Sequence, residues 1–250
     1  MYRLGLDTPE AHEQLQRTIA VIEHLEDPRT HGWLSQPPSP SSETARLATA
    51  VPDGPVSLES SLRSAAMSAL EAAAHIRFSI QSEHYTLTSL RTMMRTILMG
   101  AGRLGYVALP DTAQVRETNA TALLGQEARS LNHALGNISQ ITQLPGLKWR
   151  PDDVRRFDQQ IAAVNTARLP GDRAMIREAA KLIGTEVAAA DNTVGQTTLR
   201  DHLTWIWHTS SGSAHGFDWQ SHASGTFITD IAAAVSAFHF SIDATRRMWQ

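Results

Sequence analysis

The sequence predicts an all-α protein, a bundle of about seven or eight helices. Three observations predict it. Apolar residues recur at three- and four-residue spacing along most of the chain. Runs of alternating β-branched residues are nearly absent. The periodic stretches are bounded by Thr, Asp, Pro and Gly, the residues that begin and end helices. No internal repeat of fixed length and no sustained heptad appears.

The first helix opens at "TPEAHEQLQ", with Thr8 as N-cap and Pro9 in the first helical position, where a missing N–H costs nothing. Leu15, Ile19, Ile22 and Leu25 form its apolar stripe, and Pro28 ends it. Residues 28–57 carry six of the chain's eleven prolines and read as a Pro/Ser-rich linker or loop, pinned to the body by Trp33. The domain map is therefore an N-terminal helix over 1–27, a linker over 28–57 and a helical bundle over 58–250.

Within the bundle, about 58–82 is an alanine-rich helix. Its small face of Leu62, Ala66, Ala69 and Ala73 suits close packing. A second helix runs over about 86–108 to the stop at Pro110. Its "MGAGRLG" holds the Gly-x-Gly-x-x-Gly spacing with no preceding strand, so helix packing explains it better than dinucleotide binding. Asp111 is expected to cap a helix reaching about 138. Further helices are expected at about 152–167, 171–190, 196–212 and 222–248.

Composition bounds the function. The chain has 250 residues, 42% of them hydrophobic, and a net charge of −3. Such a balance argues against broad electrostatic binding to DNA, though not against a local basic patch. There is no Cys, hence no disulfide, thiolate metal site or thiol nucleophile. With no visible secretory signal and no membrane-length apolar run, a cytoplasmic protein is expected.

One stretch stands apart: "WIWHTSSGSAHGFDW", residues 205–219. Read as packing, its small residues let a second helix approach. His215-Gly216 then closes the helix, with the His215 ring near Trp205 or Trp207. Read as a site, His215 is a general acid/base suited to neutral pH, with His208 and Arg200 in support. Trp205, Ser211 and Trp219 would hold a ligand. His208, His215 and His222 are spaced by seven, but the intervening glycines break the face they would share, and no paired metal-ligand motif is present. Neither a metal nor a cofactor is expected.

The same stretch is similar to the C-terminal Ser-x-x-x-His-Gly signature of uncharacterised helical proteins of actinobacteria and their mobile elements. "SLRTMMRTILMGAGRLGYVALPDTAQVRETNATAL" resembles a second signature of that group, fitted by Arg91, Tyr106, Pro110 and Arg116. A Glu usually stands where this chain has Arg95. The group is distantly similar to the HEPN superfamily, helical bundles that include RNase toxins and defence effectors. Active members carry an Arg-x(4–6)-His motif, and here no Arg occupies the corresponding positions before His215. The resemblance implies a module that acts by binding a protein partner or by homo-oligomerisation, in a defence or toxin–antitoxin setting. RNA is a further candidate partner, and Arg91 and Arg95 join the binding residues. The alternative is a metal-independent ribonuclease with His215 as acid/base.

Overall fold

The computed structural model describes residues 4, 6–53, 56–139, 169–190, 196–215 and 227–250, with scattered helical positions between 152 and 162. The described residues form nine α-helices and one 3₁₀ helix, with no strand among them. In chain order these are α1 (Pro9–Glu26), α2 (Pro28–His31), the 3₁₀ turn η1 (Gly32–Ser35), α3 (Glu43–Ala50), α4 (Leu58–Gln81) and α5 (Leu87–Ala108). There follow α6 (Ala113–Ser139), α7 (Asp172–Ala190), α8 (Gln196–Ala214) and α9 (Phe227–Trp249). The protein is an all-α bundle. Most of the helix expected at 152–167 lies outside the described residues, as do positions 222–226 of the last one.

Local chemistry sets the helix starts. The Thr8 hydroxyl accepts from the Ala11 N–H at 3.2 Å, and Ser57 accepts from Ser60 at 3.1 Å. Thr86 and Ser89 cap each other reciprocally at the head of α5. The cap of α6 is Thr112, whose Oγ1 accepts from Val115 N–H at 3.3 Å. Asp111 stands one residue too early, because the helix begins at Ala113.

Helix α5 is the hub. It packs against α4, α6, α7, α8 and α9, and Leu90, Met94, Ile97, Leu98, Leu104 and Val107 are buried along it. Glycine makes this crowding feasible. A Cβ on Gly100 would stand 2.5 Å from Ala69 Cβ and 2.7 Å from the Ala65 carbonyl oxygen on α4. One on Gly102 would stand 2.5 Å from Ile176 Cγ1 on α7. The small face expected on α4 is the matching surface, since Leu62, Ala66, Ala69 and Ala73 are all buried. The "MGAGRLG" glycines thus serve helix approach.

The 28–57 segment requires a correction. Expected as a linker or loop, it holds α2, η1 and α3 and packs on the C-terminal end of α9. Leu34 and Leu47 are buried. Thr44 Oγ1 donates to the Met248 carbonyl at 3.0 Å, Ser39 N–H to the Trp249 carbonyl at 3.0 Å, and Trp249 Nε1 to the Gln36 carbonyl at 3.1 Å. Trp33 meets Trp249 edge-on, centroids 5.1 Å apart. The prolines start α2 and space these short helices, while partners more than 200 residues away supply the burial and backbone pairing that a local reading cannot see.

Helix α9 is, among the described helices, long and apolar enough by length and composition to cross a membrane, with a mean hydropathy of 1.3. Much of its apolar surface faces the bundle: Ile228, Ile231, Ala234, Val235, Phe238 and Ile242 are buried, while Phe240 is exposed.

Candidate functional site

The three residues nominated for catalysis lie along one helix and do not converge. Arg200 and His208 are eight residues apart on α8 and His215 seven further, a rise of about 22 Å from first to last at 1.5 Å per residue. Arg200 is occupied by its neighbour Asp201, Nη2 to Oδ1 2.8 Å. His208 is half-buried and His215 exposed. Helix α8 runs unbroken through Ala214, so Trp205 and Trp207 lie about 15 and 12 Å of rise away from His215. That separation opposes the expected packing of the His215 ring on either indole. The His215 backbone N–H does close the helix, bonding the Ser211 and Gly212 carbonyls at 3.1 Å each. Gly216, Trp219 and His222 lie outside the described residues.

Arg91 and Arg95 fare differently. They stand one turn apart on α5, on the same face. Arg91 lies over the Phe227 ring, 5.7 Å from guanidinium carbon to centroid. Arg95 lies over the Trp207 ring at 5.1 Å. Burial pushes the Arg91 guanidinium below its ordinary pKa, and the field of Asp230 opposes that shift. The Arg95 Nε is buried without a hydrogen-bond partner, and no carboxylate among the described residues pairs with this side chain.

Helix α5 contains three arginines and no acidic residue. The third, Arg103, is neutralised by Glu127 at 3.0 Å and Asp172 at 3.4 Å, and Glu127 also accepts from Ser61 Oγ at 2.7 Å. That network joins α4, α5, α6 and α7 and is structural. No carboxylate among the described residues does the same for Arg95.

Beside the arginines lies a pair that sequence reading missed. His202 Nε2 on α8 is 2.8 Å from Asp230 Oδ1 on α9, and the same Asp230 acts on Arg91. Nothing local links residues 28 positions apart on different helices; only the packing of α8 on α9 joins them. A carboxylate-held imidazole is a proton-transfer arrangement, because the carboxylate fixes the ring's orientation.

The other residues of the second signature are structural. Arg116 Nε donates to the Pro110 carbonyl at 2.7 Å and its Nη1 lies 3.3 Å from Glu43 Oε1, tying the α5–α6 turn to α3. The Tyr106 carbonyl accepts from Asn119 Nδ2 at 2.6 Å, and burial raises the phenol's pKa.

Trp205 points outward and is 45% exposed, two residues before Trp207. Ser211, nominated for binding, has its Oγ buried without a hydrogen-bond partner, as does Ser210. No group of three or more metal-ligating side chains occurs among the described residues. Comparison with family models, curated proteins and solved structures finds no match to this chain.

Proposed function

We propose that this is an HEPN-like helical protein that acts by recognition, and that the Arg91–Arg95 face of α5 recognises single-stranded RNA. The observation that supports this reading is Arg95: half-buried, its guanidinium over the Trp207 ring, and without a carboxylate partner among the described residues. A half-buried guanidinium with no carboxylate partner among the described residues is a place where an external anion is favourable. One or two phosphates of a flexible strand suit two neighbouring arginines, whereas duplex DNA demands a longer basic face. Homo-oligomerisation, or a protein partner in a defence or toxin–antitoxin setting, belongs to the same proposal.

Fluorescence anisotropy with a single-stranded RNA tests the reading. Arg95→Ala and Arg91→Ala are each expected to weaken binding by about tenfold or more, the scale of a charge-assisted contact. Arg17→Ala, which removes an exposed α1 charge paired with Glu13, should change little. Wild-type affinity in Arg95→Ala defeats the assignment.

The His202–Asp230 pair favours a second reading, metal-independent cleavage of the bound RNA. In this reading His202, not His215, is the acid/base. His202→Ala should then lower cleavage by at least about a hundredfold while His215→Ala leaves it unchanged. Cleavage lost in His215→Ala and retained in His202→Ala reverses the assignment.

A further inference from the structure

The C-terminal parts of α5 and α9 and the first turns of α3 and α6 line one cleft of about 500 Å³. That volume is in the range of sites for small molecules. Leu109 just beyond α5 and Phe240, Ala244 and Met248 on α9 give it an apolar wall. Phe240 is 41% exposed, whereas Phe238, two residues before it, is fully buried in the bundle. The Phe240 ring is thus available to a ligand rather than spent on the core.

Five charged side chains complete the lining: Glu43, Asp111, Arg116, Asp243 and Arg247. Four of them meet in pairs. Arg116 Nη1 lies 3.3 Å from Glu43 Oε1, and Arg247 Nη1 bonds Asp243 Oδ2. Arg46 and Arg246 share the same two carboxylates without lining the cleft, and Glu117 also pairs with Arg46. Asp111 is the exception. Its carboxylate has no hydrogen bond or ion pair among the described residues, and the cap of α6 is Thr112 instead. Its backbone is nevertheless fixed, because Arg116 Nη2 donates to the Asp111 carbonyl at 3.3 Å.

We propose that this cleft binds a small organic cation, an amine or guanidine on an aromatic or aliphatic body, with Asp111 as counter-ion and Phe240 as the apolar contact. The chemistry follows from the lining. The arginines already have carboxylates, so the charge left for a ligand is negative. An exposed aromatic face attracts a cation as well as an apolar body, and the aliphatic wall excludes water around that body. The cleft is separate from the arginine face of α5, since Arg91, Arg95 and Trp207 are not among its lining residues. The inference therefore does not depend on RNA recognition.

The test titrates the intact chain with three probes of similar shape and follows backbone amide NMR shifts. The probes are 2-phenylethylamine, cationic at neutral pH, neutral 2-phenylethanol and anionic 3-phenylpropionate. The amine should bind with a dissociation constant on the order of 10 mM or tighter, the scale for a ligand of about nine heavy atoms. It should shift the amides of Leu109, Asp111 and Ala244, and bind about fivefold or more tightly than the alcohol, the combined scale of an exposed ion pair and a cation–π contact. Asp111→Asn should remove most of that preference at an unchanged melting temperature, because the carboxylate bonds nothing in the fold. Phe240→Leu should weaken the amine more than the alcohol. Arg95→Ala should leave amine binding as it is.

Equal affinity for the three probes, tighter binding of the carboxylate, or a preference for the amine that survives in Asp111→Asn overturns the proposal. So does loss of amine binding in Arg95→Ala, which would place the amine at the arginine face. Binding of a lysine- or arginine-containing peptide in this cleft, with no binding of the free amine, overturns the small-ligand assignment and makes the cleft a seat for a basic side chain of a protein partner.

Discussion

Arg95 of α5 rests on the Trp207 ring of α8, guanidinium carbon to centroid 5.1 Å. The contact joins the hub helix to the helix with the most unusual sequence in the chain. A partly desolvated cation–π pair is worth about 0.5–2 kcal/mol. A double-mutant cycle of Arg95→Ala and Trp207→Ala, read by urea denaturation, should give a coupling energy of about 1 kcal/mol. Strict additivity would mean that the pair carries no energy of its own.

Gly100 supports a second expectation. Gly→Ala within an exposed helix gains up to about 1 kcal/mol. At Gly100 the new methyl meets the Ala65 carbonyl oxygen at 2.7 Å, and backbone cannot step aside as a flexible side chain can. Gly100→Ala should therefore destabilise by about 1–3 kcal/mol, the usual scale of overpacking. A rise in the melting temperature would show that α4 and α5 are less closely seated.

The third expectation concerns pH. The His24 and His239 rings meet edge-on across α1 and α9, centroids 5.8 Å apart. Burial lowers the pKa of His239 below 6.5; the positive fields of His24 and Arg246 add to the shift and Asp243 opposes it. A depressed folded-state pKa means that the unfolded chain takes up the proton first. This contribution to stability is thus present above pH about 6.5 and lost as pH falls through the folded value. His239→Phe should flatten the dependence of unfolding free energy on pH between 7.5 and 5. The same slope in variant and wild type would assign it to other groups.

The 28–57 segment provides the fourth. Pinned by Thr44, Gln36 and Ser39 to the last residues of α9, it should resist limited proteolysis in the wild type. Trp249→Ala removes both the ring contact with Trp33 and the Nε1 donor to Gln36. It should cost about 3 kcal/mol and open cleavage within residues 34–50. Early cleavage of the wild-type segment would mean that it behaves as the linker its composition suggests.

His215 gives the fifth. Its backbone N–H closes α8, and alanine retains that donor; the side chain is exposed. His215→Ala should shift stability by no more than about 0.5 kcal/mol, as surface changes do. The 1–2 kcal/mol loss of a true side-chain cap, seen in thermal or chemical unfolding, would restore the structural role that the His-Gly pair suggests.

The sequence by itself determined the long described helices, though not α2, η1 and α3. Thr8, Ser57 and Thr86 cap through bonds to residues three positions on, and the stripe from Leu15 to Leu25 is a matter of period, so both are legible locally. The small face of α4 and the glycines of α5 announced close approach for the same reason. Two of the nominated residues, Arg91 and Arg95, stand together because they lie one turn apart on one helix. Ser211 and Trp205 were legible only as members of an unusual stretch. Tertiary structure decided the rest. His202 and Asp230 meet because α8 packs on α9, Trp207 lies beneath Arg95 because α8 packs on α5, and no local pattern encodes either. The 28–57 segment is ordered by contacts more than 200 residues distant, such as Thr44 to Met248. Conversely, Arg200, His208 and His215 looked like one cluster in the sequence. An unbroken helix sets them about 22 Å apart, because 15 residues at 1.5 Å each extend a site that a sharp turn would have closed.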